Sequence, residues 1–225
     1  VNDDLCKQVM KDELIEVSDK YGDDRKTEIV YSSEEFNPED FYADDEMVIT
    51  ISHLGYIKRT PLSEFRTQNR GGVGSKGSDT READFVEYIY MATMHNTMIF
   101  FTQKGRCYWL KVYEIPEGTK NSKGRAIQNM LNIDADDKVN AFVHVKNLAD
   151  KDFVNSHYLM FCTKNGVVKK TCLEAYSRPR TNGVNAITIR EDDRVIEVVM
   201  TNGDNEIILA NKNGRAIRFH EGVVR

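Results

Sequence analysis

Four glycines fall within seven positions at Gly71-Gly72-Val73-Gly74-Ser75-Lys76-Gly77, and Gln68, Asn69 and Arg70 lead into them. Glycine adds little to a core, so such a cluster implies unusual backbone angles or a close approach of the backbone to a partner. Exposed N–H groups in a loop of this kind can cradle phosphates, with Arg70 and Lys76 adding charge. The segment is no Walker A loop, because Lys76-Gly77-Ser78 breaks the required ending. Nor is it a dinucleotide fingerprint, since no strand–helix–strand pattern surrounds it. A connection between structural units reads the same composition equally well.

Nothing arranged for covalent or acid–base chemistry accompanies it. His53, His95, His144, His157 and His220 have no Ser or Cys partner in a nucleophile elbow, and no HExxH occurs. The pairs Asp44-Asp45, Asp136-Asp137 and Asp192-Asp193 read as exposed turn residues rather than acid/base dyads. Trp109 and Phe100-Phe101 lie in strand-like runs and read as core rather than as base-stacking platforms. Tyr176, between Glu174 and the basic Arg178-Pro179-Arg180, reads as a packing or phosphate-contacting residue rather than a nucleophile. Cys6, Cys107, Cys162 and Cys172 form no CxxC and no zinc spacing, so free thiols of a reducing compartment are expected and no metal site.

The formal net charge of -5 hides an asymmetry. Residues 1–54 hold 5 Lys+Arg against 16 Asp+Glu, and the remainder 26 against 20. Between 55 and 77, Lys58, Arg59, Arg66, Arg70 and Lys76 face Glu64 alone. That is the local basic patch phosphate binding needs, or simply a solvated basic loop. No apolar run approaches the ~20 residues of a membrane span. The acidic start lacks a signal-peptide pattern, which argues against export and for a cytoplasmic protein.

Leu5, Val9, Met10, Leu14 and Val17 recur near a 3.6-residue spacing and predict a helix begun by Asn2, Asp3 or Asp4 and ended at Tyr21-Gly22. Residues 1–30 are thus a helical leader, and 31–46 an acidic linker without period. Everything from 47 to 225 reads as β. Segments 47–60, 97–110, 158–171 and 206–219 share one plan: an apolar run, a turn ending in Gly55, Gly105, Gly166 or Gly214, and a second run. Asn165-Gly166 and Asn213-Gly214 predict type I′ hairpins. A polar glycine step follows the first three: Ser75-Lys76-Gly77, then Ser122-Lys123-Gly124 with Arg125-Ala126-Ile127, then Thr181-Asn182-Gly183 with a strand at Ala186–Ile189. In the second and third copies Asp136-Asp137 and Asp192-Asp193 lead to a further strand from Val139 and Val195. About four strands per unit of about 50 residues is the period of a propeller-like blade. About three blades and a hairpin are expected.

The stretch from Tyr56 to Gly77 resembles the first-blade segment of the bacterial DNA gyrase A chain, including that family's GyrA box, Q-R-R-G-G-K-G. Gln68, Arg70, Gly71, Gly72 and Gly74 match the box, while Asn69 and Val73 each replace a basic residue. Residues 11–30 resemble the end of the helix that closes the family's breakage-reunion region. The resemblance implies a mainly β fold, a β-pinwheel whose blades of about four antiparallel strands exchange strands with their neighbours, preceded by one N-terminal α-helix. It implies a module that binds and wraps double-stranded DNA and supports ATP-dependent negative supercoiling by the holoenzyme. The nucleophilic tyrosine would lie in the N-terminal region, with ATP and Mg2+ on the gyrase B chain, so no cofactor and no catalytic residue is expected on this chain. Partners would be the gyrase B chain and a second gyrase A chain in a heterotetramer, in the nucleoid-associated bacterial cytoplasm. The C-terminal domain of the topoisomerase IV A chain and a propeller-like protein-interaction scaffold stand as alternatives.

Recurring basic residues are the expected DNA contacts: Lys58, Arg59, Arg66, Arg70 and Lys76; Lys111, Lys123 and Arg125; Lys169, Lys170, Arg178 and Arg180; Arg215 and Arg218. A period of two does not say which of them face outward.

Overall fold

The computed structural model describes residues 3–27, 37–65, 70–72 and 78–224. They divide between Asn37 and Pro38 into two units. The first holds α1 (Asp3–Tyr21), where the apolar spacing placed it. Asp3 and Asp4 in its first turn and Lys20 in its last suit the helix dipole, and Gly22 N–H closes onto Ser18 O at 2.7 Å. Leu5, Val9, Met10, Leu14 and Val17 are all exposed. No helix of the described residues is long and apolar enough to cross a membrane.

The second unit is built of antiparallel strands. The first repeat is β1 (Glu46–Ser52), β2 (Tyr56–Pro61) and β3 (Val86–Thr93). The second is β4 (Thr97–Thr102), β5 (Arg106–Lys111), β6 (Arg125–Ala126) and β7 (Val139–Val145). After α2 (Lys151–Ser156), the third is β8 (Tyr158–Thr163), β9 (Val168–Cys172), β10 (Val184–Asn185) and β11 (Val195–Thr201). The fourth hairpin is β12 (Glu206–Ala210) and β13 (Ala216–His220). Helix α2 departs from the all-β expectation; Asp150 caps it by accepting from the N–H groups of Asp152 and Phe153. The strand expected at Ala186–Ile189 forms instead at β10, because Ala186 and Ile187 turn into the core and donate both N–H groups to Gly105 O.

Strand order is β3-β1-β2-β6 in the first sheet and β10-β5-β4-β7 in the second. The fourth strand of each sheet therefore comes from the next repeat. Ile57 pairs with Arg125 across the first exchange, and Cys107 with Val184 across the second. The cores lie between blades. Met98 and Phe100 of β4 join Ile49, Ile51 and Ile57 on one side, and Ile99 and Phe101 join Leu159, Phe161 and Val198 on the other. A strand buried on both faces reads as a continuous apolar run, which is why Thr97–Thr102 shows no alternation.

The four turn glycines have φ between 77° and 85°. Leu54, Lys104, Asn165 and Asn213 before them do not adopt positive φ, so the turns are not of type I′. Each is a type I turn closed by a left-handed glycine, the three-residue bulged loop. The cause lies three residues before the glycine. Ser52 Oγ, Thr102 Oγ1, Thr163 Oγ1 and Asn211 Oδ1 each accept the N–H of the residue after the glycine at 3.1 Å.

The acidic turns pin these hairpins and are not merely solvated. Asp84 Oδ1 accepts from Leu54 N–H and Phe85 N–H, Asp137 Oδ1 from Lys104 and Lys138, and Asp193 Oδ1 from Asn165 and Arg194, all at 2.8–3.2 Å. Asp137, expected to be exposed, is 3% exposed. Burial works to raise the carboxyls of Asp84 and Asp193, but hydrogen bonds from Ser52 or Thr163 and two N–H groups outweigh it and hold both below 3.8. Their stabilisation is therefore present above the ordinary aspartate pKa and is lost as pH falls through the lower folded value. Asp193→Ala is expected to cost about 1–2 kcal/mol at pH 7. The deficit should shrink when melting is followed at progressively lower pH below 3.8.

A candidate nucleic-acid interface on the strand-exchange edge

The third strands of neighbouring blades converge. Tyr90 Oη donates to Phe142 O at 3.3 Å, and Asn140 Nδ2 donates to Val195 O and Ile196 O at 3.0 and 2.9 Å. β3 and β7 form one edge of their sheets, so the exchanged strands β6 and β10 form the edges facing away from that convergence. The chain leading into each exchanged strand is an arm over the neighbouring blade. Gly124 (φ 73°) and Gly183 (φ 67°) let the arms lie close, since an added Cβ would stand 2.7 Å from Ile57 O and Cys107 O respectively.

The arms carry exposed cations: Lys123 and Arg125 on the first, Arg178 and Arg180 on the second. Arg178 lies 4.0 Å from Glu174, and the fourth hairpin adds exposed Arg215 and Arg218, the latter 3.4 Å from Glu206. Arg70, with Gly71 and Gly72, is exposed as well. Arg66, Lys76 and the box residues Gln68, Asn69, Val73 and Gly74 lie outside the described residues.

Five of the expected contacts are spent inside the fold. Lys58 is 2% exposed, with Nζ donating to the carbonyls of Thr119, Lys120 and Ser122. Arg59, 8% exposed, donates to the carbonyls of Val112, Tyr113 and Ile115 and pairs with Glu117 at 3.1 Å. Lys170 pairs with the buried Glu221 at 2.9 Å, Lys169 donates to Ala186 O at 2.7 Å, and Lys111 pairs with Glu39. Arg59, Trp109 and Lys170 stand four residues beyond their turn glycines. Each reaches the 3-10 turn of the next repeat, Trp109 through Nε1 to Tyr176 O at 3.0 Å. These side chains are struts between blades. Tyr176 is 3% exposed, and desolvation pushes its hydroxyl up to about 12, so of the two readings left open for it packing holds. Among the described residues no group of three or more His, Cys, Asp or Glu could hold a metal ion.

The family model for the DNA gyrase C-terminal domain, a beta-propeller, matches residues 46–92, 96–146, 157–202 and 205–225, repeat by repeat. The chain belongs to this family. Curated relatives named as the A chain of DNA gyrase include one from Halalkalibacterium halodurans, 43% identical over 96% of this chain, and one from Staphylococcus aureus, 41% identical over all of it. The chain spans about a quarter of their length, 26% and 25%. A solved C-terminal domain of DNA topoisomerase IV superposes at a TM-score of 0.64 with 29% identity, over 80% of this chain and 53% of that one. A DNA gyrase A C-terminal domain superposes at 0.61 with 22% identity, over 80% and 56%. The two structures share the gyrase family's fold; the curated relatives above, matched over nearly the whole chain, are named as gyrase A, so the topoisomerase IV reading is not favoured over gyrase A. The β-pinwheel expected from the resemblance is thus the fold of this family member.

Sequence reasoning missed the devices that orient this edge. Ser52, Thr102, Thr163 and Asn211 each stand three residues before a turn glycine, and a fuller alignment of the repeats would have exposed them, whereas the carboxylate of Asp84 keeps no fixed offset from its glycine.

Proposed function

We propose that this chain is the DNA-wrapping module of a DNA gyrase A chain, acting within an ATP-driven type II topoisomerase. The observation that carries this is the placing of exposed cations on the two successive arms that lead into the exchanged strands β6 and β10, the edge strands that face away from the convergence of the blades. Bending a 20–30 bp duplex by 40–90° costs on the order of 1–6 kcal/mol, which a row of phosphate contacts can offset through counterion release. Contacts to phosphate fix the path of the duplex without reading its bases. Lys123, Arg125, Arg178, Arg180, Arg215 and Arg218 are the contacts, with Arg70 in the box segment. The gyrase B chain supplies ATP and Mg2+, a second gyrase A chain completes the heterotetramer, and the cytoplasm is its compartment.

The test is duplex binding by the full-length protein over a salt series, with arbitrary sequences. Affinity should fall steeply with salt, and Arg178→Ala with Arg180→Ala should reduce the magnitude of the log–log slope by about 2. An unchanged slope removes the arms from the DNA path. In the holoenzyme, Arg70→Ala with Gly71→Ala and Gly72→Ala should abolish or greatly reduce negative supercoiling while leaving DNA cleavage intact. Wild-type supercoiling by that variant would make the box a mere connection.

A further inference from the structure

We propose that Lys58 is a positioning residue for DNA: its buried ammonium holds the first strand-exchange arm in the shape that presents Lys123 and Arg125 to the duplex. The inference rests on the DNA-wrapping reading above and names what sets the geometry of one of its contact arms.

The arm from Pro116 to Ala126 is a closed excursion over β2. It arrives with Arg59 N–H donating to Pro116 O and Gly118 N–H donating to Arg59 O, both at 2.9 Å. Thr60 Oγ1 donates to Gly118 O at 2.7 Å. It leaves as β6, with Ala126 opposite Tyr56 and Arg125 opposite Ile57. Between these fastenings the chain must reverse, and the reversal is wrapped around one cation. Lys58 Nζ donates to Thr119 O at 2.8 Å, Lys120 O at 3.0 Å and Ser122 O at 2.9 Å. An ammonium has three donors and no acceptor, so all of its capacity is used here. Gly118 leaves room for the Ser122 side chain at this reversal, since a Cβ there would stand 2.2 Å from Ser122 Oγ.

Two consequences follow for the rim. The three carbonyls face inward, so none of these dipoles meets an approaching phosphate. Arg125 on β6 and Lys123 beside the reversal are left as the outward groups of the same short segment. Without the ammonium, Thr119 O keeps the N–H and the hydroxyl of Ser122, at 3.0 and 2.9 Å. Lys120 O and Ser122 O lose their donor and must turn toward water, because unpaired carbonyls shielded from solvent are costly. The reversal then loses its single geometry, and the two contacts lose their register on the duplex. The second arm is locked differently, by Arg106 donating to Asn182 O and by Gly183 lying against the Tyr108 ring. Loss of Lys58 should therefore reach only the first arm.

The experiment is a thermodynamic cycle on duplex binding by the full-length protein, read as affinity and as salt slope. Lys58→Met is expected to weaken binding about tenfold and to lower the slope magnitude by about 2, the loss of two phosphate contacts from a side chain that touches none. Added to Lys123→Ala with Arg125→Ala, it should have no further effect on binding; added to Arg178→Ala with Arg180→Ala, it should multiply their effect. Hydrogen exchange should quicken at 119–124 while the amides of β4 keep their protection. Wild-type affinity and slope in Lys58→Met, or a further loss on top of the Lys123 and Arg125 substitutions, overturns the positioning role, as does exchange that quickens everywhere. Should Lys58→Met not fold, Lys58→Gln, which keeps an amide donor, carries the same cycle with a smaller loss. If Lys123→Ala with Arg125→Ala leaves binding untouched, the DNA path itself is wrong. If that pair weakens binding and Lys58→Met does not, only the positioning inference fails.

Discussion

Gly105→Ala is expected to lower stability by about 4 kcal/mol, while the same change at Gly55, Gly166 or Gly214 should cost only about 1–2. All four glycines occupy the same place in the same turn, with φ of 85°, 82°, 83° and 77° respectively. A left-handed alanine carries the same penalty at each. What differs is the space around them. At Gly55, Gly166 and Gly214 an added Cβ meets nothing within 4 Å. At Gly105 it would stand 2.2 Å from Ile187 O and about as close as packing allows to Ile187 Cγ2, at 3.0 Å. The obstructing atom is backbone, fixed by the N–H groups of Ala186 and Ile187 donating to Gly105 O at 2.8 and 3.2 Å. Relief requires moving the segment that packs Ala186 and Ile187 into the core between the second and third blades. At about 2–4 °C per kcal/mol for a unit of this size, melting should separate Gly105→Ala from the other three by several degrees. Four equal shifts would refute the close docking of this turn.

Lys170→Met should destabilise the chain by about 3 kcal/mol, because it strands a carboxylate that no water reaches. Glu221 is 0% exposed and accepts from Lys170 Nζ at 2.9 Å, Thr201 Oγ1 at 2.7 Å and Asn205 N–H at 2.7 Å. It opens a 3-10 turn whose first position in the second and third repeats is Val112 and Leu173, both fully buried. The site therefore accommodates an apolar side chain. Lys170→Met with Glu221→Leu should recover most of what the single change loses, since burying a matched apolar pair avoids desolvating two charges. Burial works to raise the Glu221 carboxyl, but hydrogen bonds from Lys170, Thr201 and Asn205 win and hold it below 4.5. The pair's contribution is thus complete above the ordinary glutamate pKa and is lost as pH falls through the depressed folded value. Acid unfolding followed by circular dichroism should move to higher pH in Lys170→Met. An unmoved acid midpoint would show that the pair does not hold the fourth hairpin to the third blade.

Local features of this chain were legible without any structure. The spacing of Leu5, Val9, Met10, Leu14 and Val17 determined α1, and four turn glycines at matching places determined four hairpins. These signals are local because a helix turn and a hairpin turn are each closed by residues within a few positions of one another. The resemblance of Gln68, Arg70, Gly71, Gly72 and Gly74 to the box carried the family assignment in the same way, through adjacent residues.

The direction of each cation was decided only by tertiary structure. Lys58, Arg59, Lys123 and Arg125 are all basic residues in or beside strands, and a period of two treats them alike. Lys58 and Arg59 vanish into the fold because an arm from about 60 residues further on brings backbone carbonyls to them, at Thr119 for one and Ile115 for the other. Lys123 and Arg125 stay exposed because that arm is the outermost layer of the first sheet. Strand exchange places the partner of each side chain in the next repeat, and a partner that distant in sequence leaves no local mark on the residue it will bind.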